Sequence, residues 1–169
     1  KYKVSKLNDL DNWDNFELSS PQSSIFSCKQ AILTYKKNLD LYSITKGQEI
    51  KSIIYLFKEN KKIVGTPLIY SGILFQPQNK QKNCRYLAEK FKLNEIFINE
   101  ILSSYKNINF NLHFNVEDIR PFLWFNYNET NKPKFEIEVR YTSLLSLLDK
   151  SLDNIFRNLD DVKQRDIKK

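Results

Sequence analysis

The chain has 169 residues, the size of one domain with room for a substantial core. Its residues are 41% hydrophobic and 14% aromatic, a content that excludes an intrinsically disordered chain. The net charge is +7, but acidic residues interleave with most of the lysines, so the pattern favours a solvated surface over a DNA-binding patch.

Two cysteines, Cys28 and Cys84, lie far apart, and the chain has a single histidine. This spacing offers no zinc-binding motif, so we expect two free, buried thiols in a reducing cytoplasm and no metal site. No apolar run reaches the ~18 residues that a membrane-spanning helix needs, and no signal peptide is visible. We therefore predict a cytoplasmic protein without a transmembrane segment.

The first third of the chain predicts a polar segment, a short helix and a strand. Trp13 and Phe16 are the expected apolar anchors of the N-terminal segment. Ser27, with Gln30 three residues later, forms a capping-box pattern that predicts a helix running to about Lys37. Residues 39–45 alternate between apolar and polar side chains, as a half-buried strand does.

The stretch from residue 50 to residue 75 predicts the two central strands of the fold. Residues 52–58 form one apolar run, a charged turn at residues 59–62 reverses the chain, and a second run returns to residue 75. Pro67 lacks a ladder donor and Gly72 lacks a side chain, so residues 66–72 predict a kink or loop. At this kink the backbone approaches either a ligand or another strand.

The second half predicts a helix over residues 84–105, with a break near residues 93–94, followed by a strand over residues 108–114. In that strand His113 shares the polar side with Asn109 and Asn111. Residues 120–127 and 135–141 predict two further strands. A long amphipathic C-terminal helix is predicted from its apolar positions, which are Leu145, Leu148, Leu152, Ile155, Leu159 and Val162. The fold class predicted is α/β or α+β around one mixed sheet.

Four stretches of the sequence carry a resemblance to a known family. They are Trp13 with the loop SPQSSIF over residues 20–26, PLIYSGILF over residues 67–75, LHFNVEDIRPFLWFNY over residues 112–127, and the leucine-rich final segment with its basic end. Together they resemble the N-terminal half of the tandem GNAT-type N-acyltransferases, the group that includes the Fem-type peptidoglycan-bridge transferases.

This resemblance implies a GNAT-like mixed, twisted sheet flanked by helices, with a second GNAT-like domain following in cis. It implies acyl transfer from acetyl-CoA or another acyl-CoA to an amine of an amino sugar or a glycan or cell-wall precursor in bacteria. The only glycines are Gly47, Gly65 and Gly72, and none forms a glycine-rich phosphate-binding turn before a helix. We therefore expect the full-length protein to bind the acyl-CoA outside this chain, which alone is inactive and contributes to the acceptor cleft.

Candidate substrate-binding residues lie in three places. Tyr70, Ser71 and Gly72 put two hydroxyls beside a glycine where backbone can approach a ligand, although a structural bend explains them as well. His113 is the one side chain that titrates near neutral pH, and it is either a ligand contact or a surface residue. The remaining candidates are Arg120, Trp124 and Tyr127. The Arg120 guanidinium can bind a carboxylate with two parallel hydrogen bonds, and the rings of Trp124 and Tyr127, each with a polar group at its tip, can stack on a sugar. For these, a loop salt bridge and core packing are the alternatives, and no catalytic residue is assigned.

Two other functions remain open. A Fem-type transferase would take its donor from aminoacyl-tRNA, which predicts salt-dependent RNA binding. A non-catalytic interaction domain would instead use the long C-terminal helix and expose its apolar stripe to a partner.

Overall fold

The computed structural model describes residues 1–11, 13–65, 68–79, 81–144, 148 and 150–168. They divide into two compact units, Lys1–Ile137 and Glu138–Lys169. The first unit holds a mixed six-stranded sheet with helices, and the predicted α+β class is confirmed. None of the helices in the described part of the chain has the length and apolar character that crossing a bilayer requires.

Three antiparallel strands form one side of the sheet: β1 (Tyr2–Leu7), β2 (Leu39–Lys46) and β3 (Glu49–Glu59). The predicted strands β2 and β3 are confirmed, whereas β1 was missed. In β3, residues 52–57 are all buried. Ile54 and Leu56 pack into one hydrophobic cluster, while Ile53, Tyr55 and Phe57 pack into another. The alternation of β3 side chains therefore buries both faces of the sheet.

The return arm of the central hairpin is broken in two. β4 (Lys62–Ile63) and β5 (Gly72–Phe75) both pair antiparallel with β3. The backbone N–H of Val64 still donates to Phe57, and Gly72 already lies opposite Tyr55. The chain between them leaves the ladder, so the predicted kink is confirmed, although Thr66 and Pro67 lie outside the described residues.

At the kink the backbone meets another strand. β6 (Asn107–Ile108) pairs parallel with β4, and the extended chain that follows accepts a hydrogen bond at Asn111 O from Ser71 N, at 2.8 Å. Gly72 has a φ of +110°, and a Cβ built there would lie 3.1 Å from Leu112 Cδ2. Both the backbone angle and this close approach require glycine at the start of β5.

Gly72→Ala is expected to lower the free energy of unfolding by about 2–3 kcal/mol, because the φ is strained and Leu112 must move. Urea unfolding followed by tryptophan fluorescence measures this change. Gly47→Ala is the control, since Gly47 also has a positive φ of +65° but open space around it, so its loss should be about 1 kcal/mol. Equal losses in the two variants would contradict the close approach at Gly72.

One helix of the first half was missed, and the other is shorter than predicted. α1 (Trp13–Ser19) and α2 (Lys29–Leu33) flank a serine-rich loop, and α2 is capped at Cys28 rather than at Ser27. The reason is that the Ser27 hydroxyl donates to the buried carboxylate of Glu17, at 2.6 Å. That carboxylate also accepts from Ser23 Oγ at 2.9 Å, so it organises the loop and removes the predicted capping box.

The predicted helix of residues 84–105 is confirmed in position. α3 (Asn83–Ile96) continues into a π-helical turn (Phe97–Ile101) and a 3₁₀ turn (Leu102–Ser104). The α-helix runs without interruption through Leu93 and Asn94 and only changes type after Ile96, so the break predicted near residues 93–94 is wrong.

Two predicted strands are wrong. Residues 120–127 contain a helix, α4 (Arg120–Trp124), because Pro121 lies in its first turn, where the missing N–H and fixed φ favour a helix start. Residues 133–144 form no strand. Phe135 instead packs against Phe122, with 5.5 Å between the two ring centroids. Tyr141 is 95% exposed and belongs to no strand.

The predicted long C-terminal helix is also wrong. The second unit contains two short helices, α5 (Leu152–Arg157) and α6 (Asp161–Ile167). They are separated because the Asp160 carboxylate accepts a hydrogen bond from Lys163 N and caps a new helix. Leu148 and Leu152 are exposed, as the interaction-domain alternative requires, whereas Leu145 lies outside the described residues.

The buried carboxylate of Asp40, on β2, connects β1 and β3 to Tyr105, the residue that follows the 3₁₀ turn. Asp40 Oδ1 accepts from the ammonium groups of Lys6 and Lys58, each at 2.7 Å. Its Oδ2 accepts from Tyr105 OH at 2.8 Å, and the Tyr42 hydroxyl lies 2.8 Å from that of Tyr105. Burial alone would raise the pKa of Asp40, but these hydrogen bonds outweigh it and hold the pKa below its ordinary value.

Asp40→Asn is expected to lower the free energy of unfolding by about 2 kcal/mol at neutral pH, because the two ammonium groups lose their shared counter-charge. The folded-state pKa lies below the unfolded value of about 3.9, so this stability exists above about pH 4 and disappears as the pH falls through the folded pKa. Urea unfolding across this pH range should therefore show the two proteins converging in acid. Asp11→Asn, at an exposed position, is the control, and an equal effect there would contradict the assignment.

Candidate functional site

Four of the predicted site residues lie together. Tyr70, Ser71 and Gly72 end the broken arm between β4 and β5, and His113 ends the extended chain after β6. The ring centroids of Tyr70 and His113 are 4.7 Å apart, and Tyr55 OH donates to Tyr70 O at 3.0 Å. Candidates that were proposed separately, in two distant segments, therefore meet in the structure.

This cluster is closed by packing. Ser71 and His113 are 4% and 7% exposed, and Ser71 Oγ is buried without a hydrogen-bond partner among the described residues. His113 is buried, whereas Asn109 is exposed and Asn111 is half-buried, and the chain turns directly after His113, where Val116 N donates to His113 O. Burial lowers the pKa of His113, whose Nδ1 accepts from the backbone N–H of Asn115. These contacts favour a structural bend over a substrate site.

Of the other three predicted residues, Arg120 and Trp124 lie on α4 and Tyr127 follows it. Arg120 forks to the Asp118 carboxylate, with Nη2 at 2.6 Å from Oδ2, so the alternative of a loop salt bridge is the one present. Its guanidinium also lies 5.6 Å from the Trp124 ring centroid. Trp124 and Tyr127 are 57% and 69% exposed, so core packing does not explain them.

A cleft of about 240 Å³ opens where β3, the end of β5 and α3 meet. Sequence reasoning did not find it. Its walls combine acidic, basic, amide and aromatic side chains: Glu49 and Lys51 on β3, Phe75, Gln76, Pro77, Asn79 and Gln81 at and after β5, and Tyr86, Glu89, Lys90 and Leu93 on α3.

Gln76 joins the three elements around this cleft. Its backbone N–H donates to Lys51 O at 3.0 Å, and its carbonyl accepts from Tyr86 OH at 3.1 Å. The Gln76 side chain accepts from Lys51 Nζ at 3.0 Å and donates to Glu49 Oε1 at 2.7 Å. Because this one residue bonds to β3 and to α3, the walls of the cleft are held at a fixed separation.

Lys90 is the unusual group in the cleft. It is 7% exposed, and its ammonium lies 4.3 Å from the Tyr86 ring centroid and 5.7 Å from that of Phe75. No carboxylate of the described residues forms an ion pair with it. Burial lowers the pKa of Lys90, although the negative charge of Glu117 opposes this shift. A buried lysine without a counter-ion is rare in proteins, and such groups cluster at functional sites.

The other charges of the cleft are compensated. Lys51 Nζ lies 2.7 Å from Glu49 Oε2, and this contact lowers the pKa of Glu49. Glu89 accepts from Tyr2 OH at 2.8 Å and pairs with Lys46 at 3.4 Å. Burial and the Glu89 carboxylate raise the pKa of Tyr2 to about 12.

The sequence carries one signal for the burial of Lys90. The helical stripe that begins with Cys84, Leu87, Ala88 and Phe91 is apolar, yet Cys84 and Ala88 are exposed. The buried residues of this segment are Tyr86, Lys90, Leu93, Asn94, Ile96, Phe97, Ile98 and Ile101. Among them Tyr86, Lys90, Leu93 and Phe97 repeat at three and four residues, and a lysine in the middle of such a stripe marks either a wrongly assigned buried face or a buried amine.

Neither the cysteines nor the potential metal-binding side chains of the described residues form a further candidate site. Cys84 is exposed and Cys28 is half-buried, with its Sγ donating to Ile25 O, so the expectation of two buried thiols is wrong. Both are free, and the described residues contain no group of three or more His, Cys, Asp or Glu side chains that could hold a metal ion.

Comparisons with known proteins leave the chain without a match. No protein-family model, no curated protein and no solved structure matches it.

Lys90→Met is expected to raise the free energy of unfolding by about 1 kcal/mol at neutral pH, because the thioether fills similar space without an uncompensated charge. The folded pKa of Lys90 lies below the unfolded value of about 10.4, so between the two values only the unfolded state holds the proton. The wild-type chain therefore gains stability as the pH rises through this window, and its difference from the variant shrinks.

Urea unfolding from about pH 7 to pH 10 measures this convergence, with the difference between variant and wild type as the readout. Lys92→Met is the matched control, because Lys92 is an exposed neighbour on α3 that pairs with Glu95 at 3.0 Å. A pH-independent difference for Lys90→Met would show that its amine is not strained by burial.

Proposed function

We propose that the chain is the N-terminal domain of a bacterial, cytoplasmic, acyl-CoA-dependent N-acyltransferase, and that its cleft holds the amine-bearing acceptor. The observation that carries this proposal is the cleft itself, with the carboxylates of Glu49 and Glu89 in its walls. The amine group of an amino sugar or of a cell-wall precursor is largely protonated at neutral pH, and Glu49 and Glu89, which already pair with Lys51 and Lys46, would share their negative charge with this ammonium group.

The sheet supports the class of enzyme. The resemblance to GNAT-type transferases implies a mixed sheet flanked by helices, and the described strands form such a sheet, in which β6 pairs parallel with β4 and the other pairings are antiparallel. Fold similarity alone carries no activity, so the proposal depends on the cleft.

The reaction proposed is direct transfer. The deprotonated acceptor amine attacks the thioester carbon, the C–N bond forms and the C–S bond breaks. The amine nitrogen releases a proton to solvent, and the departing CoA thiolate takes up a proton from solvent to become the thiol. Positioning of the acceptor supplies much of the rate in such a reaction. The walls fixed by Gln76 would provide this positioning.

The donor is assigned to a second domain in cis. Gly47 turns a hairpin, and Gly65 and Gly72 bound the broken arm, so none of the three glycines lies before a helix where backbone N–H groups bind phosphate. The proposal therefore places acetyl-CoA on the full-length protein and expects no transfer by this chain alone.

Release of CoA thiol from acetyl-CoA by the full-length protein, with glucosamine as the acceptor probe, tests the activity. Glu89→Gln is expected to raise the KM for glucosamine about tenfold, the effect of losing one charged contact worth about 1.4 kcal/mol. Glu95→Gln is the control, because Glu95 lies on α3, does not line the cleft and pairs with the exposed Lys92.

A full-length protein that neither binds acetyl-CoA in calorimetry nor releases thiol with the acceptor would overturn the proposal. Salt-sensitive binding of tRNA in its place would indicate the aminoacyl-tRNA donor of the Fem-type alternative.

A further inference from the structure

We propose that the ligand of the cleft carries an acid group, a phosphate or a carboxylate, which pairs with the ammonium of Lys90. This inference rests on the proposed function and names the class of its acceptor: a small amino compound that also bears an acid. Carboxylate and phosphate share the chemistry that Lys90 recognises, because an ammonium binds either one as a point charge.

The distribution of partners in the cleft leads to Lys90. Lys51 is satisfied by Glu49 and by the Gln76 side chain, and Glu89 is satisfied by Tyr2 and Lys46. Lys90 alone among the charged residues lining the cleft has neither an ion pair nor a hydrogen bond within the described part of the chain. Its ammonium lies near the rings of Tyr86 and Phe75, which attract a cation but do not neutralise it.

A bound anion would offset part of the desolvation cost of the Lys90 ammonium. Charges interact more strongly where water is excluded, and Lys90 is 7% exposed. The ion pair would recover part of the free energy that the amine loses on leaving water. The size of the cleft, about 240 Å³, lies below the ~300–1,000 Å³ of drug-sized pockets, so a monosaccharide-sized acid fits it better than a nucleotide or a polymer.

Binding should also take up a proton. Burial lowers the pKa of Lys90 in the free protein, and a bound anion raises it again. The charged and titratable groups around the amine are Tyr86 and Glu89 on α3, Glu49 and Lys51 on β3, and Glu117 before α4. The affinity for an acid is therefore expected to fall as the pH rises through the pKa of free Lys90.

Isothermal titration calorimetry on the full chain tests the inference with four probes: glucosamine, glucosamine 6-phosphate, glucose 6-phosphate and glucuronate. We expect glucosamine 6-phosphate to bind at least ten times more tightly than glucosamine. Glucose 6-phosphate and glucuronate separate a phosphate preference from a carboxylate preference. Titrations in buffers of different ionisation enthalpy report the proton uptake.

Lys90→Met should remove the tenfold preference for the phosphate over glucosamine, whereas Lys90→Arg keeps the charge and part of the preference. Lys92→Met, at an exposed and paired lysine of the same helix, should bind all four probes as the wild type does. Equal affinity of Lys90→Met and wild type for the acids, or acids that bind no better than glucosamine, would overturn the inference.

The two proposals fail separately. An acid-selective cleft in a full-length protein without thiol release would reject acyl transfer and keep the Lys90 site. Transfer to glucosamine that is indifferent to phosphate and to Lys90→Met would keep the enzyme and reject the site.

Discussion

The burial of β3 on both faces is the constraint on which the rest of the first unit depends. Its side chains alternate between two hydrophobic clusters, so a helix or a segment must cover each side of the sheet. The strand also pairs with β2 on one edge and with both β4 and β5 on the other. The break between β4 and β5 is possible because β3 continues unbroken past it and aligns both pieces.

That arrangement explains why the cleft lies where it does. β5 returns to the ladder at Gly72 and ends at Phe75, whose backbone N–H donates to the buried side chain of Gln22 at 2.9 Å. The next residue, Gln76, then bonds to β3 and to α3. The cleft forms directly after the last residue of β5, and its walls are parts of the sheet, of α3 and of the segment that joins β5 to α3.

The sequence predicted what local pattern and turn chemistry control. The β2–β3 hairpin, the turn before β4 and the break that ends at Gly72 follow from apolar runs, charged residues and glycine. It did not predict what tertiary contacts decide. Residues 120–127 have an apolar content that suits a strand or a short helix, and packing of Phe122 among Phe97 and Phe110 is compatible with the helix that Pro121 starts. The candidate site was missed because its walls come from β3, β5 and α3, which only the fold brings together, and because Lys90 lies off the apolar stripe that begins with Cys84, Leu87, Ala88 and Phe91.

Packing alone does not account for Lys90. A methionine or leucine would cover Tyr86 and Phe75 equally well and would leave no charge to be desolvated. Lysines often extend their charged ends to water from such positions, and although Lys90 as a residue is only 7% exposed, its Nζ is not among the fully buried side-chain atoms without a partner. Nor does it support the fold through an ion pair, as Lys58 does with Asp40. An unpaired amine in the wall of a cleft whose other charges are compensated is the position at which a ligand can supply the missing counter-charge.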